Sequence, residues 1–212
     1  MEIIPGILEK EWTEIERKIN LAKQFSKTIH VDIIDGKFAP NTTFLDPAPF
    51  AKYSKEVFFE VHLMVDEPIE YLKPFADIGF SRFLGQIEKM SDQVEFVAQA
   101  QILGEVGLVI DTPTPIDLLE VSLDNLDCLA IMTVKAGFSG QSFMEEMLDK
   151  VKEIRKRSQI TIEVDGGIDN STILKAIKAG ANRFVATSFI FKNENPSKNY
   201  QILNSCLGIK HF

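Results

Sequence analysis

Apolar and polar residues follow one another along this chain in two rhythms. Short, nearly continuous apolar runs rich in β-branched side chains alternate with longer stretches in which apolar residues recur every three or four positions. The first rhythm predicts strands buried on both faces, the second amphipathic helices. The spacing predicts strands at Glu2–Ile4, Thr28–Ile34, Val57–Met64, Phe80–Leu84, Val106–Ile110, Cys128–Val134, Ile160–Val164 and Arg183–Ala186. Helices are predicted between them. The first spans Glu11–Phe25, with Ile15, Ile19, Leu21, Ala22 and Phe25 near helical spacing. A short one follows at Pro47–Tyr53, then one from Pro68 to Ala76 and one capped by Ser91 that runs to Leu103. Further helices begin at Ile116, end at Arg157 after a long run, and cover Ser171–Ala179 and Ser197–Leu207.

These are strand–helix units roughly 25 residues apart, and eight of them in strict alternation favour parallel strands closed into a (β/α)8 TIM barrel. An open doubly wound sheet predicts a G-x-G-x-x-G turn after the first strand. The turn here, PGILEKEW, lacks it. No linker interrupts the pattern, so residues 1–212 read as a single barrel domain.

In such barrels chemistry sits at the C-terminal ends of the strands. Polar residues interrupt the apolar runs there at His30, Asp32, His62 and Asp165. His30 and Asp32 are two apart and share one face of their strand. Two imidazoles and two carboxylates suit a divalent ion such as Zn(II), Fe(II), Co(II) or Mn(II). Packing alone gives no reason to bury four such groups at one end of a barrel.

Composition narrows the class. Hydrophobic residues make up 45% and charged residues 25%, ordinary for a globular domain. The net charge of -8 and the lack of a basic stripe argue against nucleic acid or an anionic membrane as partner. Cys128 and Cys206 stand apart, with no metal-ligand spacing, as in a reducing compartment. The opening MEIIPGIL has no basic region of a leader, and no apolar run approaches the roughly 20 residues of a membrane span. A cytoplasmic location is expected.

Four segments resemble the ribulose-phosphate 3-epimerase family, in order and at its spacing: IHVDIIDGKFAPN (Ile29–Asn41), FEVHLMVDEP (Phe59–Pro68), IMTVKAGFSGQSF (Ile131–Phe143) and IEVDGGI (Ile162–Ile168). The resemblance implies one catalytic divalent metal held by His30, Asp32, His62 and Asp165. It implies Asp32 and Asp165 as the acid/base pair that epimerises C3 of a phosphoketose. Met64 and Met132 match apolar positions around the reacting carbon, and Asn41 and Gln141 match loop positions. A phosphate is expected on backbone N–H groups of the loops that carry Gly137, Gly140, Gly166, Gly167, Thr187 and Ser188. The resemblance also implies a homo-oligomer.

The chain departs from the family's pattern at several positions. Gly6 stands where the family has a serine, and Lys135-Ala136-Gly137-Phe138-Ser139-Gly140 replaces Asn-Pro-Gly-Phe-Gly-Gly. Thr187-Ser188-Phe189 replaces Gly-Ser-Ala, Ile33-Ile34 a methionine-bearing turn, and Gln86 a histidine. Where the family's glycine takes a positive φ, Thr187 would be strained. The expected substrate is a sugar phosphate, first D-ribulose 5-phosphate, alternatively a hexulose 6-phosphate of the allulose type. A non-catalytic metal- or phosphosugar-binding barrel is the rival from another class. A decarboxylase of the orotidine-phosphate type needs Asp-x-Lys-x-x-Asp, and DIIDGK at Asp32–Lys37 lacks that lysine.

Overall fold

In the computed structural model, which describes residues 1–192 and 195–208, the apolar runs pair side by side in chain order. The strands are β1 (Glu2–Ile7), β2 (Thr28–Ile34), β3 (Phe58–Met64), β4 (Phe80–Gln86), β5 (Glu105–Ile110), β6 (Cys128–Met132), β7 (Thr161–Asp165) and β8 (Arg183–Ala186). All neighbours are parallel, and β8 returns to β1 to close the barrel. Alternation within each strand sorts its side chains. Ile29, Val31 and Ile33 of β2 join the large outer cluster, while His30 and Asp32 take the other face and point inward.

The helices are α1 (Trp12–Ala22), α2 (Ile69–Ala76), α3 (Gln93–Leu103), α4 (Leu148–Arg157), α5 (Thr172–Ala179), α6 (Ser188–Phe191) and α7 (Pro196–Leu207). The short α6 is absent from the sequence reading. None among the described residues is long and apolar enough to cross a membrane.

Several predicted bounds shift for identifiable reasons. β1 continues to Ile7, because proline's fixed φ is compatible with extended chain and Pro5 pairs with Ala186. Asp165 belongs to β7 rather than to the loop after it. Asp92, not Ser91, caps α3: its carboxylate accepts the Glu95 N–H at 2.9 Å, while the Ser91 hydroxyl donates to Glu67 at 2.9 Å. The helix predicted from Ile116 does not form; two 3-10 turns, Ile116–Leu118 and Leu123–Asn125, stand there. Pro113 sits in a turn closed by Thr114 N–H donating to Asp111 O at 3.2 Å, and Pro115 holds the entry extended with ψ 147°. Gln93 then fixes the segment, its amide donating to Leu118 O at 2.9 Å and accepting from Glu120 N–H at 3.0 Å. The long helix predicted up to Arg157 shortens to α4, preceded by a 3-10 turn at Glu145–Met147.

After β2 the chain likewise makes a 3-10 segment, Ala48–Tyr53, in place of an α-helix. Its buried side chains are Phe50 and Tyr53. Phe50 is fully buried, with its ring 5.0 Å from Trp12, 5.7 Å from Phe59 and 5.4 Å from Phe80 between centroids. The ring meets each of these three neighbours edge-on. Phe50→Ala is therefore predicted to cost about 3–5 kcal/mol in urea unfolding. A loss below about 1 kcal/mol would show that the aromatic cluster collapses to fill the gap.

Candidate metal centre and substrate recess

Register brings the polar strand-end residues together. β2 and β3 pair with His30 beside Glu60 and Asp32 beside His62. β7 supplies Asp165, in register with Met132 of β6. All four predicted residues, His30, Asp32, His62 and Asp165, are buried and each offers one ligand atom within 4.8 Å of the others. Asp32 Oδ1 lies 3.2 Å from His30 Nε2 and 3.0 Å from His62 Nδ1. Asp165 Oδ2 lies 3.7 Å and 3.3 Å from the same two nitrogens. Ligand bonds of about 2.0–2.1 Å span tetrahedral edges of about 3.3 Å. The donor set and its spacing therefore fit a divalent ion.

The remaining ring nitrogens are engaged, which aims the lone pairs at the centre. His30 Nδ1–H donates to Glu60 Oε1 at 2.7 Å. Gln86 presents its amide oxygen to His62 Nε2–H at 3.1 Å and donates its own N–H to Glu88 at 2.6 Å and Val109 O at 3.3 Å. Below them lies a layer of ionised groups. Glu60 pairs with Arg82 at 2.6 Å and with Arg183; Arg183 also lies 3.2 Å from Glu163. Sequence reading missed Glu60, Glu163 and both arginines, and met Gln86 only as a departure from the family's pattern. The usable signal was period two: Glu60 and Glu163 stand two positions before His62 and Asp165, on the same inward face.

The electrostatics follow from burial and pairing. Burial opposes a charged His62, but the carboxylates of Asp165 and Asp32 outweigh it and lift its pKa to about 9. His30 is raised in the same way, against burial, chiefly by Asp32. Burial would raise the Asp32 carboxyl, yet His30 and His62 pull it below the usual range. Glu163 is pushed up to about 7, first by burial and then by Glu60. Asp32 and Asp165 thus favour positive charge at this point, and a divalent ion bound there would take the place of the imidazole protons.

A recess of about 450 Å³ up to its open mouth adjoins the cluster. Of the four metal-ligand candidates only Asp32 and Asp165 line it. Met64 and Met132 line it too, as do Gly137, Gly140, Gly166, Gly167, Thr187 and Ser188. Gly167 has φ 67°, and a Cβ there would come 2.9 Å from Phe143 Cα, so only glycine fits. At Thr187 φ is -99°, so the positive-φ strain considered for this position does not arise. Asp35 ties loops together, accepting from Lys37, Phe38 and Asp66 N–H groups, and takes no part in the site. Asn41 donates to Gly137 O at 2.7 Å, and Gln141 to Lys135 O and Phe138 O at 2.6 and 2.8 Å. Both brace the loop after β6. Lys135 is exposed at the rim.

Comparison with known proteins agrees with this geometry. The profile of the Ribulose-phosphate 3 epimerase family matches residues 2–191. Ribulose-phosphate 3-epimerase of Schizosaccharomyces pombe is 35% identical over 204 residues, covering 93% of this chain and 90% of its own. The Bacillus subtilis enzyme of the same name is 30% identical over 210 residues, covering 93% and 95%. Among solved structures, 3-hexulose-6-phosphate synthase from Salmonella typhimurium shares the barrel, with TM-score 0.68 at 14% identity, covering 98% of each chain.

The role of Gln86 can be measured. Gln86→Leu keeps a side chain of similar size and removes the acceptor that orients His62. Metal affinity, read by chelator competition, is predicted to fall about 10–100-fold. Unchanged affinity in a folded variant would leave His62 oriented by packing alone.

Proposed function

Because the chain belongs to the ribulose-phosphate 3-epimerase family, we propose that it interconverts D-ribulose 5-phosphate and D-xylulose 5-phosphate, with Asp32 and Asp165 as the acid/base pair. One observation carries this reading: of four clustered donors, the two carboxylates also face the recess and the two imidazoles stand behind them. The strands that carry them, β2 and β7, are separated by β8 and β1, so the carboxylates approach the recess from different sides.

Epimerisation beside a carbonyl needs one proton removed from C3 and one returned to its opposite face. One aspartate takes the proton as a carboxylate. The other, entering the cycle as the acid, delivers its proton to the opposite face. Their protonation states are then exchanged, which readies the pair for the reverse reaction. His30, Asp32, His62 and Asp165 would hold the ion, with Zn(II), Fe(II), Mn(II) and Co(II) as candidates from the donor set. When bound, it supplies Lewis-acid polarisation of the carbonyl and a counter-charge for the electron-rich transition state. Met64 and Met132 flank the reacting carbon with apolar surface and limit water there.

The phosphate end is read onto the loops after β6, β7 and β8. The N–H groups of Gly140, Gly167 and Ser188 make no turn, loop or cap hydrogen bond among the described residues. Converging backbone dipoles of this kind hold a dianion without an arginine, which reconciles an anionic substrate with a chain of net charge -8.

The test is metal-loaded protein in D2O with D-ribulose 5-phosphate, and a hexulose 6-phosphate in a parallel arm. Deuterium at C3 together with xylulose 5-phosphate is the predicted result. Absence of exchange with each metal and with both substrates would overturn the reading; exchange confined to the hexulose would move it to that substrate. Chelation is predicted to abolish turnover and reloading to restore it. Asp165→Asn, nearly isosteric but unable to accept the proton, is predicted to lower kcat about 100-fold or more while the fold persists. A variant retaining a tenth of wild-type activity would remove Asp165 from the acid/base pair.

A further inference from the structure

Gly6 and Thr187 follow the paired residues Pro5 and Ala186 on the adjacent strands β1 and β8. The backbone at Gly6 is not in the left-handed region, so its conformation alone does not call for glycine. The crowding does. A Cβ at Gly6 would land on Thr187 Oγ1 and come 2.9 Å from Val185 Cγ1. The Thr187 hydroxyl thus occupies the volume that a side chain on β1 would claim.

Thr187 lines the recess together with Asp32 and Asp165. Other threonines around the barrel mouth spend their hydroxyls on the protein: Thr43 donates to Asp32 O at 2.9 Å, Thr133 to Gly166 O at 2.6 Å and Thr172 to Gly167 O at 2.9 Å. Thr187 uses its carbonyl, accepting from Phe191 N–H at 3.1 Å. Among the described residues its hydroxyl meets no partner in the chain. A half-buried hydroxyl left free at a recess, in space cleared by a glycine on the neighbouring strand, is placed for an oxygen that arrives with a ligand.

We propose that Thr187 is a substrate-binding residue whose side-chain hydroxyl, seated in the space left by Gly6, hydrogen-bonds an oxygen of the bound ketose phosphate. This rests on the epimerase reading and adds a side-chain contact to the backbone cradle. It also makes Gly6 and Thr187 one unit, since the glycine is needed for the hydroxyl to fit.

Two substitutions separate hydrogen bonding from space filling. Thr187→Val keeps the shape and removes the hydroxyl; Thr187→Ser keeps the hydroxyl and removes the methyl. Binding of D-ribulose 5-phosphate by calorimetry, and KM against kcat, are read on metal-loaded protein. The Val variant is expected to bind about tenfold more weakly, mostly through KM, and the Ser variant to stay within about threefold of wild type. Metal content should not change in either. The opposite order, equal losses, or no loss in the Val variant would each overturn the proposal. Gly6→Ser alone is expected to lose binding through the clash, and Gly6→Ser with Thr187→Gly and Val185→Ala, which clears both close approaches, to regain it with the hydroxyl supplied from β1. A folded triple variant that fails to regain binding, while Thr187→Gly with Val185→Ala alone keeps the metal, would overturn the shared-volume argument. The two readings fail separately. Wild-type protein that binds the sugar phosphate with the Ser/Val order intact but exchanges no C3 proton leaves Thr187 standing and removes the reaction. Turnover without that order removes Thr187 alone, and absence of both binding and turnover removes both.

Discussion

Glu60 lies fully buried on β3 with the guanidinium groups of Arg82 and Arg183 on one oxygen and the imidazole of His30 on the other. A carboxylate at this depth is tolerable only when its charge is compensated, and removing one partner of such a pair costs about 3–5 kcal/mol. The barrel mouth depends on this contact. The strand that lifts His62 to the mouth sets Glu60 two residues lower, under His30. Holding the Nδ1 proton of His30, Glu60 leaves Nε2 to face Asp32 and Asp165. Gln86 does the same for His62 from β4. For His30, ligand direction is thus decided one layer below the ligands.

That layer divides the barrel interior. Leu84, Val109, Cys128, Ala130, Met132 and Val134 form an apolar inner cluster on β4, β5 and β6 and the residues just after β6. On β2, β3, β7 and β8, His30, Glu60, Glu163 and Arg183 form the ionic remainder. Barrels of this kind more often fill the interior with branched aliphatic layers. The recess opens where the halves meet, with methionine on one flank and carboxylate on the other. A reaction that needs a charged proton acceptor beside a dry carbon is matched by that boundary.

Much of this was legible in the sequence. His30, Asp32, His62 and Asp165 stood out because polar residues rarely end apolar strands without a task, and eight strand–helix units pointed to closure. Glu60 and Glu163 were hidden by the habit of reading strand ends only; the inward periodicity that ties His30 to Asp32 extends to them. Arg183 looked like the polar start of a strand, and Arg82 sat in the weakest apolar run. Local chemistry displaced the Ser91 cap, since Asp92 offered a stronger acceptor one residue later. The helix expected at Ile116 gave way to prolines and to the long-range grip of Gln93. The crowding around the Thr187 hydroxyl was out of view for a different reason. Its neighbour Gly6 lies at the other end of the chain, and only three-dimensional packing shows that the two share one volume.

That shared volume constrains how such a barrel can change over time. A side chain at position 6 and a threonine at position 187 exclude each other, so a lineage carrying both in succession would pass through a crowded, damaged form. The open route leads through glycine at both positions, with neither hydroxyl present. Once one strand fills that volume, the other is kept bare by sterics.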